Sequence, residues 1–207
     1  MKREGKSLDK AVTELIAALE DRDWVVRGHA VRALGQMGPA AKEAMPALLA
    51  ALKDRDAGIR SAAAEALGEI GPTKEVVPDL IAALKDQDAY VSDSAAWALD
   101  KIGPEAKEAA PALIAALKDQ DAYVRGVAAL SLGSIGPEAK EAVPDLIAAL
   151  KDQDAYVRGA ATWALGKIGP AAKEAAPALL AALKDQNTHV HRSAANALRK
   201  IQAIGKT

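Results

Sequence analysis

The sequence predicts an all-α fold, an α-solenoid of six two-helix repeats with a period of 33 residues. A Gly-Pro pair recurs every 32 or 33 residues, from Gly38-Pro39 to Gly169-Pro170. The pattern Asp-x-Asp recurs at the same period, beginning at Asp21 and Asp23. Alanine supplies 50 of the 207 residues, which favours closely packed helices over sheets. Repetition of this kind is typical of proteins built by stacking one supersecondary unit.

The repeat boundaries follow from these marks, and we expect one domain over residues 1–207. The six repeats span 6–38, 39–71, 72–103, 104–136, 137–169 and 170–202. The third repeat is one residue short. Repeats four and five differ at 7 of 33 positions, so 26 are identical. Such identity indicates recent duplication or a designed consensus, and the sequence leaves both origins open.

The residue pattern of each repeat predicts two antiparallel helices, and the fifth repeat serves as the example. Residues 137–142 form a first turn, and Pro144 suits the first position of a helix, where no amide hydrogen is needed. Asp154 is a good N-cap for a second helix over 155–168. Gly169 then provides a left-handed stop. The expected core side chains are Leu146, Ile147 and Leu150 on the first helix and Val157, Ala161, Ala164, Leu165 and Ile168 on the second.

Composition excludes several classes of function. Cysteine is absent, which excludes disulfides and thiolate chemistry. The 27 basic and 28 acidic residues give a net charge of −1, so we expect no nucleic-acid partner. No apolar run approaches the roughly 20 residues of a membrane span. We expect no membrane association, and the absence of a signal sequence predicts a cytoplasmic location.

No residue pattern indicates a catalytic, cofactor or metal site. The Asp-x-Asp pairs lack the glycine and terminal glutamate of a calcium loop. His189 and His191 are two residues apart, so they point away from each other on a helix. We therefore expect a protein that is not an enzyme and that has no cofactor.

The second helix carries a recognisable frame, which is nearly intact at residues 154–169. It reads Asp-x-x-Val-Arg-x-x-Ala-Ala-x-Ala-Leu-Gly-x-Ile-Gly. This frame resembles the HEAT repeats, specifically the subclass named after phycobilisome lyases, and it is similar to artificial alphaRep binding proteins. The resemblance implies an α-solenoid scaffold or adaptor, and the subclass also includes a few bilin lyases. Two repeats depart from the frame, with Ser92 and His191 in the arginine position.

Aspartate and arginine recur six residues apart in four repeats, and the pairs are Asp21/Arg27, Asp54/Arg60, Asp119/Arg125 and Asp152/Arg158. We interpret them as a structural ladder, in which each guanidinium bridges turn carboxylates of its own or the adjacent repeat. The alternative is a row of anion-binding arginines. Because Ser92 replaces the arginine of the third repeat, we expect that junction to be held less firmly.

When the six repeats are aligned, two positions of the second helix vary in residue type, and we call each of these positions a column. The two columns predict a partner-binding face, which in HEAT-like solenoids is concave. One column contains Val25, Gly58, Tyr90, Tyr123, Tyr156 and His189; the other contains Arg32, Glu65, Trp97, Leu130, Trp163 and Asn196. Tyrosine and tryptophan are common anchors of interfaces. The predicted binding residues are Tyr90, Asp93, Trp97, Lys101, Tyr123, Leu130, Tyr156, Trp163 and Lys167. Between the rings, Gly126, Val127, Gly159 and Ala160 are expected to leave room for a partner.

The main hypothesis is a non-catalytic scaffold that binds a protein or peptide. The alternatives are a self-associating chain or an engineered scaffold without a natural partner, and a bilin-lyase-type enzyme is the weakest. The rings themselves have a second interpretation, in which they pack on one another as a consequence of duplication.

Overall fold

The computed structural model describes residues 2–71, 73–101 and 103–202, and every regular element in these ranges is helical. The chain forms two compact units, with unit 1 covering residues 1–101 and unit 2 covering residues 102–207. The all-α solenoid fold is confirmed. One domain over 1–207 stays a prediction.

Unit 1 contains three helix pairs. Its helices are α1 (Lys2–Ala18), α2 (Trp24–Met37), α3 (Met45–Ala51), α4 (Ala57–Ile70), α5 (Val77–Ala83) and α6 (Ala89–Asp100). A 3-10 helix over Gly38–Ala44 leads into α3. The second helices of the pairs pack side by side, α2 on α4 and α4 on α6.

Unit 2 repeats this arrangement. Its helices are α7 (Ala110–Ala116), α8 (Ala122–Ile135), α9 (Val143–Ala149), α10 (Ala155–Ile168), α11 (Ala176–Ala182) and α12 (Thr188–Gln202). The 3-10 helices Pro104–Ala109, Gly136–Ala142 and Gly169–Ala175 precede the first helix of each pair. Helix α10 packs between α8 and α12.

Local signals place the helix ends largely as predicted. The Asp154 carboxylate accepts a hydrogen bond of 2.7 Å from the Tyr156 amide, which caps α10. Gly169 ends α10 with φ 68° and ψ −137°. Its positive φ agrees with the prediction, but this ψ lies outside the left-handed helical region. Gly103 differs again, because its φ of −114° and ψ of −176° are those of extended backbone. The prediction of a left-handed stop is therefore wrong in detail.

The core is built from the same repeat positions along the chain. One leucine per second helix is fully buried in most repeats: Leu34, Leu67, Leu99, Leu132 and Leu165. Each such burial stabilises the fold by about 1.5–3 kcal/mol. All five predicted core residues of α10 are fully buried. On the first helix, Leu146 is fully buried and Leu150 is nearly so, whereas Ile147 is only partly buried.

The ladder of arginine and aspartate joins adjacent repeats within each unit. In unit 1, the Arg60 Nε and Nη2 atoms donate to Asp86 of the next repeat at 2.7 and 2.8 Å. The Nη1 atom of the same guanidinium donates to the carbonyl oxygen of Asp54, six residues earlier, at 2.9 Å. The predicted ladder is thus confirmed, with one correction: the guanidinium contacts the backbone of its own turn and the carboxylate of the following one.

Three further arginines make the same contacts. Arg27 donates to Asp54, Arg125 to Asp152 and Arg158 to Asp185. The hydrogen bond from each arginine lowers the pKa of Asp86, Asp152 and Asp185 below the ordinary value, in spite of burial that raises it.

The two departures from the frame have their own hydrogen bonds. The Ser92 hydroxyl donates to the Ala89 carbonyl oxygen at 3.0 Å. The Nδ1 atom of His191 lies 2.6 Å from the Leu183 carbonyl oxygen. A weaker junction at Ser92 stays a prediction.

Candidate partner-binding faces on the second helices

In unit 1, the predicted site residues lie together on α6 and directly after it. Tyr90, Asp93 and Trp97 are spaced three and four residues apart and share one face of the helix. Tyr90 is 80% exposed and Trp97 is 37% exposed. The Lys101 Nζ atom lies 4.5 Å from the centroid of the Trp97 ring, a cation–π contact.

A cleft of about 470 Å³ separates this face of α6 from α4. We call it the unit-1 cleft. Tyr90, Asp93 and Trp97 line it from α6, and Glu65 and Glu69 line it from α4. Three of its lining side chains are carboxylates, and none is basic. The cleft therefore combines aromatic surface with a negative charge.

A hydrogen-bonded floor holds one of these carboxylates. The buried Ser94 hydroxyl donates to Glu65 Oε1 at 3.1 Å, and it lies 2.8 Å from the hydroxyl oxygen of Ser61. This hydrogen bond favours the rotamers of Glu65 that keep its Oε1 atom at Ser94. Glu65 is therefore oriented before any partner arrives.

The same two glutamates also border a neighbouring cleft of about 520 Å³, which lies between α2 and α4. Arg32 and Gln36 line it from α2. Glu65 and Glu69 thus form a negative ridge with a cleft on each side. Glu65 belongs to the variable column, and from the sequence both glutamates are expected to flank the aromatic residues on the N-terminal side and to set specificity.

In unit 2, the tyrosines pack on one another. The rings of Tyr123 and Tyr156 are stacked, with centroids 6.3 Å apart and an interplanar angle of 18°. The Tyr156 ring also lies against Gly126 of the preceding repeat, in the space that a Cβ atom would need. The expectation that Gly126 leaves room for a partner is wrong, because the protein's own ring fills that space.

Two other positions expected to leave room are closed as well. Val127 and Ala160 are buried. Gly159 differs, since the nearest atom to the position of a Cβ would be Val190 Cγ2 at 3.9 Å. The interpretation as internal packing therefore holds for the tyrosine pair of unit 2.

The exposure of Tyr90 has a local cause. In the preceding repeat, the position equivalent to Gly126 is Ser61, whose side chain is engaged with Ser94. Tyr90 is 80% exposed, whereas Tyr156, which lies on Gly126, is 44% exposed. We attribute the greater exposure of Tyr90 to the side chain of Ser61.

The tryptophan of unit 2 is partly covered by the preceding repeat. The Trp163 ring packs against Gly133 of α8 and is 36% exposed. The Lys167 Nζ atom lies 5.4 Å from its centroid. Leu130, in the same column one repeat earlier, is half-buried. Trp163 and Lys167 remain available to a partner over part of their surface.

A cleft of about 510 Å³ lies beside Trp163, between α10 and α12. We call it the unit-2 cleft. Asn196, Arg199 and Lys200 line it from α12, and it has no acidic lining residue. From the sequence these residues are expected only to face water, because the last repeat of a solenoid needs a polar second helix for solubility. Their helical spacing from Asn196, a member of the tryptophan column, is the signal that could have found them.

Within the described ranges, no cluster of three or more histidine, aspartate or glutamate side chains could hold a metal ion. Among the same residues, every helix is too short or too polar to cross a membrane.

Comparison with solved structures supports the fold. An engineered protein is 26% identical with a TM-score of 0.59, over 93% of this chain and 96% of its own. A designed armadillo repeat protein in complex with the peptide (KR)4 is 21% identical with a TM-score of 0.60, over 91% and 98%. An archaeal HEAT-like repeats protein from Thermococcus onnurineus NA1 is 13% identical with a TM-score of 0.68, over 95% and 90%. The last two show likeness of fold alone.

Comparison of the sequence is equally consistent. No curated protein matches this chain. The model of HEAT repeats matches residues 12–100, 72–133 and 110–199, which together cover most of the chain. The narrower likeness to the phycobilisome-lyase subclass stays a prediction. The helix pairs, the arginine ladder and the family match lead to one conclusion: this chain belongs to the HEAT-repeat family.

Proposed function

We propose that this protein is a non-catalytic scaffold that binds a protein or peptide on the face formed by its second helices. The observation that supports the proposal most is the grouping of exposed rings and clefts. Tyr90 and Trp97 border the unit-1 cleft, and Trp163 borders the unit-2 cleft. Exposed aromatic side chains beside a concavity are typical anchors of protein interfaces.

The family and the structural neighbours agree with a binding role. Repeat proteins of this kind offer extended surfaces, and a designed neighbour with the same fold carries a bound peptide. Fold alone does not define function, so the proposal depends on the side chains of the two faces.

The test is selection of binders from a displayed library of random peptides. We expect peptides that bind the wild type and lose about fivefold or more in affinity when Trp97→Ala or Trp163→Ala is introduced. Calorimetric titration of a selected peptide measures the loss, and far-ultraviolet circular dichroism checks that helicity is unchanged.

Trp24→Ala is a matched control, because Trp24 is 59% exposed but lies at the start of α2, outside both clefts. It should leave the affinity of a selected peptide unchanged. The proposal fails if no peptide is enriched, or if the peptides respond to Trp24→Ala and not to the other two substitutions.

Self-association of the chain is an alternative, and a second candidate is an engineered consensus scaffold that has no natural partner. The 26 identical positions in repeats four and five favour it, as does the engineered neighbour. Light scattering across a range of concentrations decides the matter of self-association. A monomer throughout contradicts it, and a dimer that Trp163→Ala dissociates supports it.

A further inference from the structure

We infer that the unit-1 cleft recognises a cationic side chain of a peptide, and that arginine fits it best. The inference rests on the proposed function and specifies the chemistry of the partner. It commits to one occupant, an arginine presented by an extended or helical peptide.

The charge of the cleft argues for a cation. Glu65, Glu69 and Asp93 contribute three carboxylates, and no basic side chain lines the cleft. The Ser94 hydroxyl, which donates a hydrogen bond to Glu65, carries no positive charge that would offset these carboxylates. An anionic ligand side chain would be repelled here, whereas a cation is attracted by carboxylates of both α4 and α6.

The aromatic surface argues for the same ligand. Tyr90 is 80% exposed, so most of its ring is accessible to a ligand. Trp97 already attracts one ammonium group, that of Lys101, which does not itself line the cleft. Rings beside carboxylates provide both interactions that a guanidinium uses, stacking on a π face and paired hydrogen bonds to oxygen.

Arginine is preferred over lysine for a geometric reason. Its planar group can stack on an aromatic ring while its N–H groups point sideways at carboxylates, whereas an ammonium acts as a point charge. Glu65 and Glu69 are one helical turn apart on α4 and face the Tyr90 and Trp97 side of the cleft.

Unit 2 supplies an internal comparison. Trp163 occupies the same column as Trp97, and Lys167 covers it as Lys101 covers Trp97. The charged side chains that line the unit-2 cleft are nevertheless Arg199 and Lys200. The same aromatic scaffold is thus surrounded by opposite charge, and the unit-2 cleft should repel the ligand that the unit-1 cleft attracts.

The test uses the full chain and two blocked peptides, one alternating arginine with glycine and one with citrulline, a neutral isostere, replacing each arginine. Calorimetric titration should show binding of the arginine peptide at low salt, and at least about tenfold weaker binding of the citrulline peptide. The double variant Glu65→Gln/Glu69→Gln should bind the arginine peptide about tenfold more weakly. Glutamine preserves side-chain shape and still accepts the Ser94 hydrogen bond.

Three single variants make the test specific to this cleft. Tyr90→Ala should weaken binding of the arginine peptide, whereas Trp24→Ala, which lies outside both clefts, should leave it unchanged. Lys101→Met should strengthen binding by about two- to fivefold, because it removes a competing positive charge from the Trp97 ring.

Several results would overturn the inference. Equal affinity for the arginine and citrulline peptides would show that charge is not recognised. Loss of binding in Trp163→Ala but not in Tyr90→Ala would place the ligand in unit 2. Failure of the inference can be distinguished from failure of the proposed function. If library peptides bind and depend on Trp97 or Trp163 but the arginine peptide does not bind, only the inference fails. If neither kind of peptide binds, both fail.

Discussion

The ring of Tyr156 lies against the backbone of Gly126, in the space that a side chain at position 126 would need. The glycine sits inside α8, where it lowers helix stability by about 1 kcal/mol relative to alanine. Its role is to let an aromatic residue of the following repeat lie flat on the helix. Packing between repeats, rather than partner binding, explains this glycine.

Substitution of the two glycines by alanine should therefore have different effects. Gly159→Ala should raise the free energy of unfolding by about 0.5–1 kcal/mol, because the new methyl group meets only Val190 at ordinary contact distance. Gly126→Ala has the same advantage in helix propensity, but the new methyl group displaces the Tyr156 ring. Its free energy of unfolding should therefore rise less than that of Gly159→Ala, or fall. Urea denaturation followed by circular dichroism measures both. Equal stabilisation would contradict the packing of Tyr156 on Gly126.

Gly133→Ala should be destabilising. A Cβ atom at this position would approach the Cα atom of Ala164 to 2.9 Å and would also meet the Trp163 ring. Ring rotation cannot relieve the backbone contact, so α8 and α10 must move apart. We expect a loss of about 1–3 kcal/mol in the free energy of unfolding. A stability equal to that of the wild type would show that the two helices are not so close.

The ladder provides a second stability test. Arg60→Ala should lower the free energy of unfolding by about 2 kcal/mol, because it leaves the largely buried Asp86 carboxylate without its paired hydrogen bonds. Arg60→Lys should lower the free energy of unfolding by a smaller amount. Lysine keeps the positive charge but lacks the planar guanidinium that makes two hydrogen bonds to one carboxylate. Urea denaturation of the full chain measures both.

The Lys53–Asp79 pair is the matched control for the ladder. It also joins two repeats, with Nζ and Oδ1 3.3 Å apart, but the lysine side chain is 76% exposed. Lys53→Ala should cost no more than about 0.5 kcal/mol. A loss as large as that of Arg60→Ala would mean that burial is not what makes the ladder strong.

Stability should fall in acid because of the same aspartates. Folding lowers the pKa of Asp86, Asp152 and Asp185, so their contribution is fully present above the unfolded-state pKa of about 3.9. It is lost as the pH falls below that value and through the lower folded-state pKa, where the folded carboxylates take up protons. Denaturation midpoints measured from neutral to acid pH should therefore drop below about pH 4. Asp86→Asn should flatten this drop, and an unchanged slope in that variant would contradict the assignment.

Tyrosine reactivity reports on the role of Ser61. Nitration followed by mass spectrometry should modify Tyr90 first, Tyr156 more slowly and the half-buried Tyr123 last, in the order of their exposure. Ser61→Gly should slow the nitration of Tyr90, because the ring can then lie on α4. An unchanged rate would show that something other than the Ser61 side chain holds the ring away.

Much of the fold could be predicted because its determinants are local. Asp154 caps α10 at the expected residue, and the hydrophobic positions of α10 are buried as their spacing indicates. The arginine ladder could be predicted as a structural feature from its repetition. The partner of each guanidinium could not, because both the carboxylate of its own turn and that of the next repeat were within reach by sequence spacing.

The period, the helix pairs, the core and the column in which aromatic side chains occur could be predicted from the sequence, since each depends on contacts repeated in every copy. Which rings are exposed depends instead on packing between neighbouring repeats. Tyr156 and Tyr90 occupy the same column, yet one lies on Gly126 and the other stands clear of Ser61. The tertiary structure also decided the charge around each tryptophan, with Glu65 beside Trp97 and Arg199 beside Trp163. The physical reason is that accessibility and electrostatic environment are set by residues of neighbouring helices, about 30 positions away in the chain, which no single repeat contains.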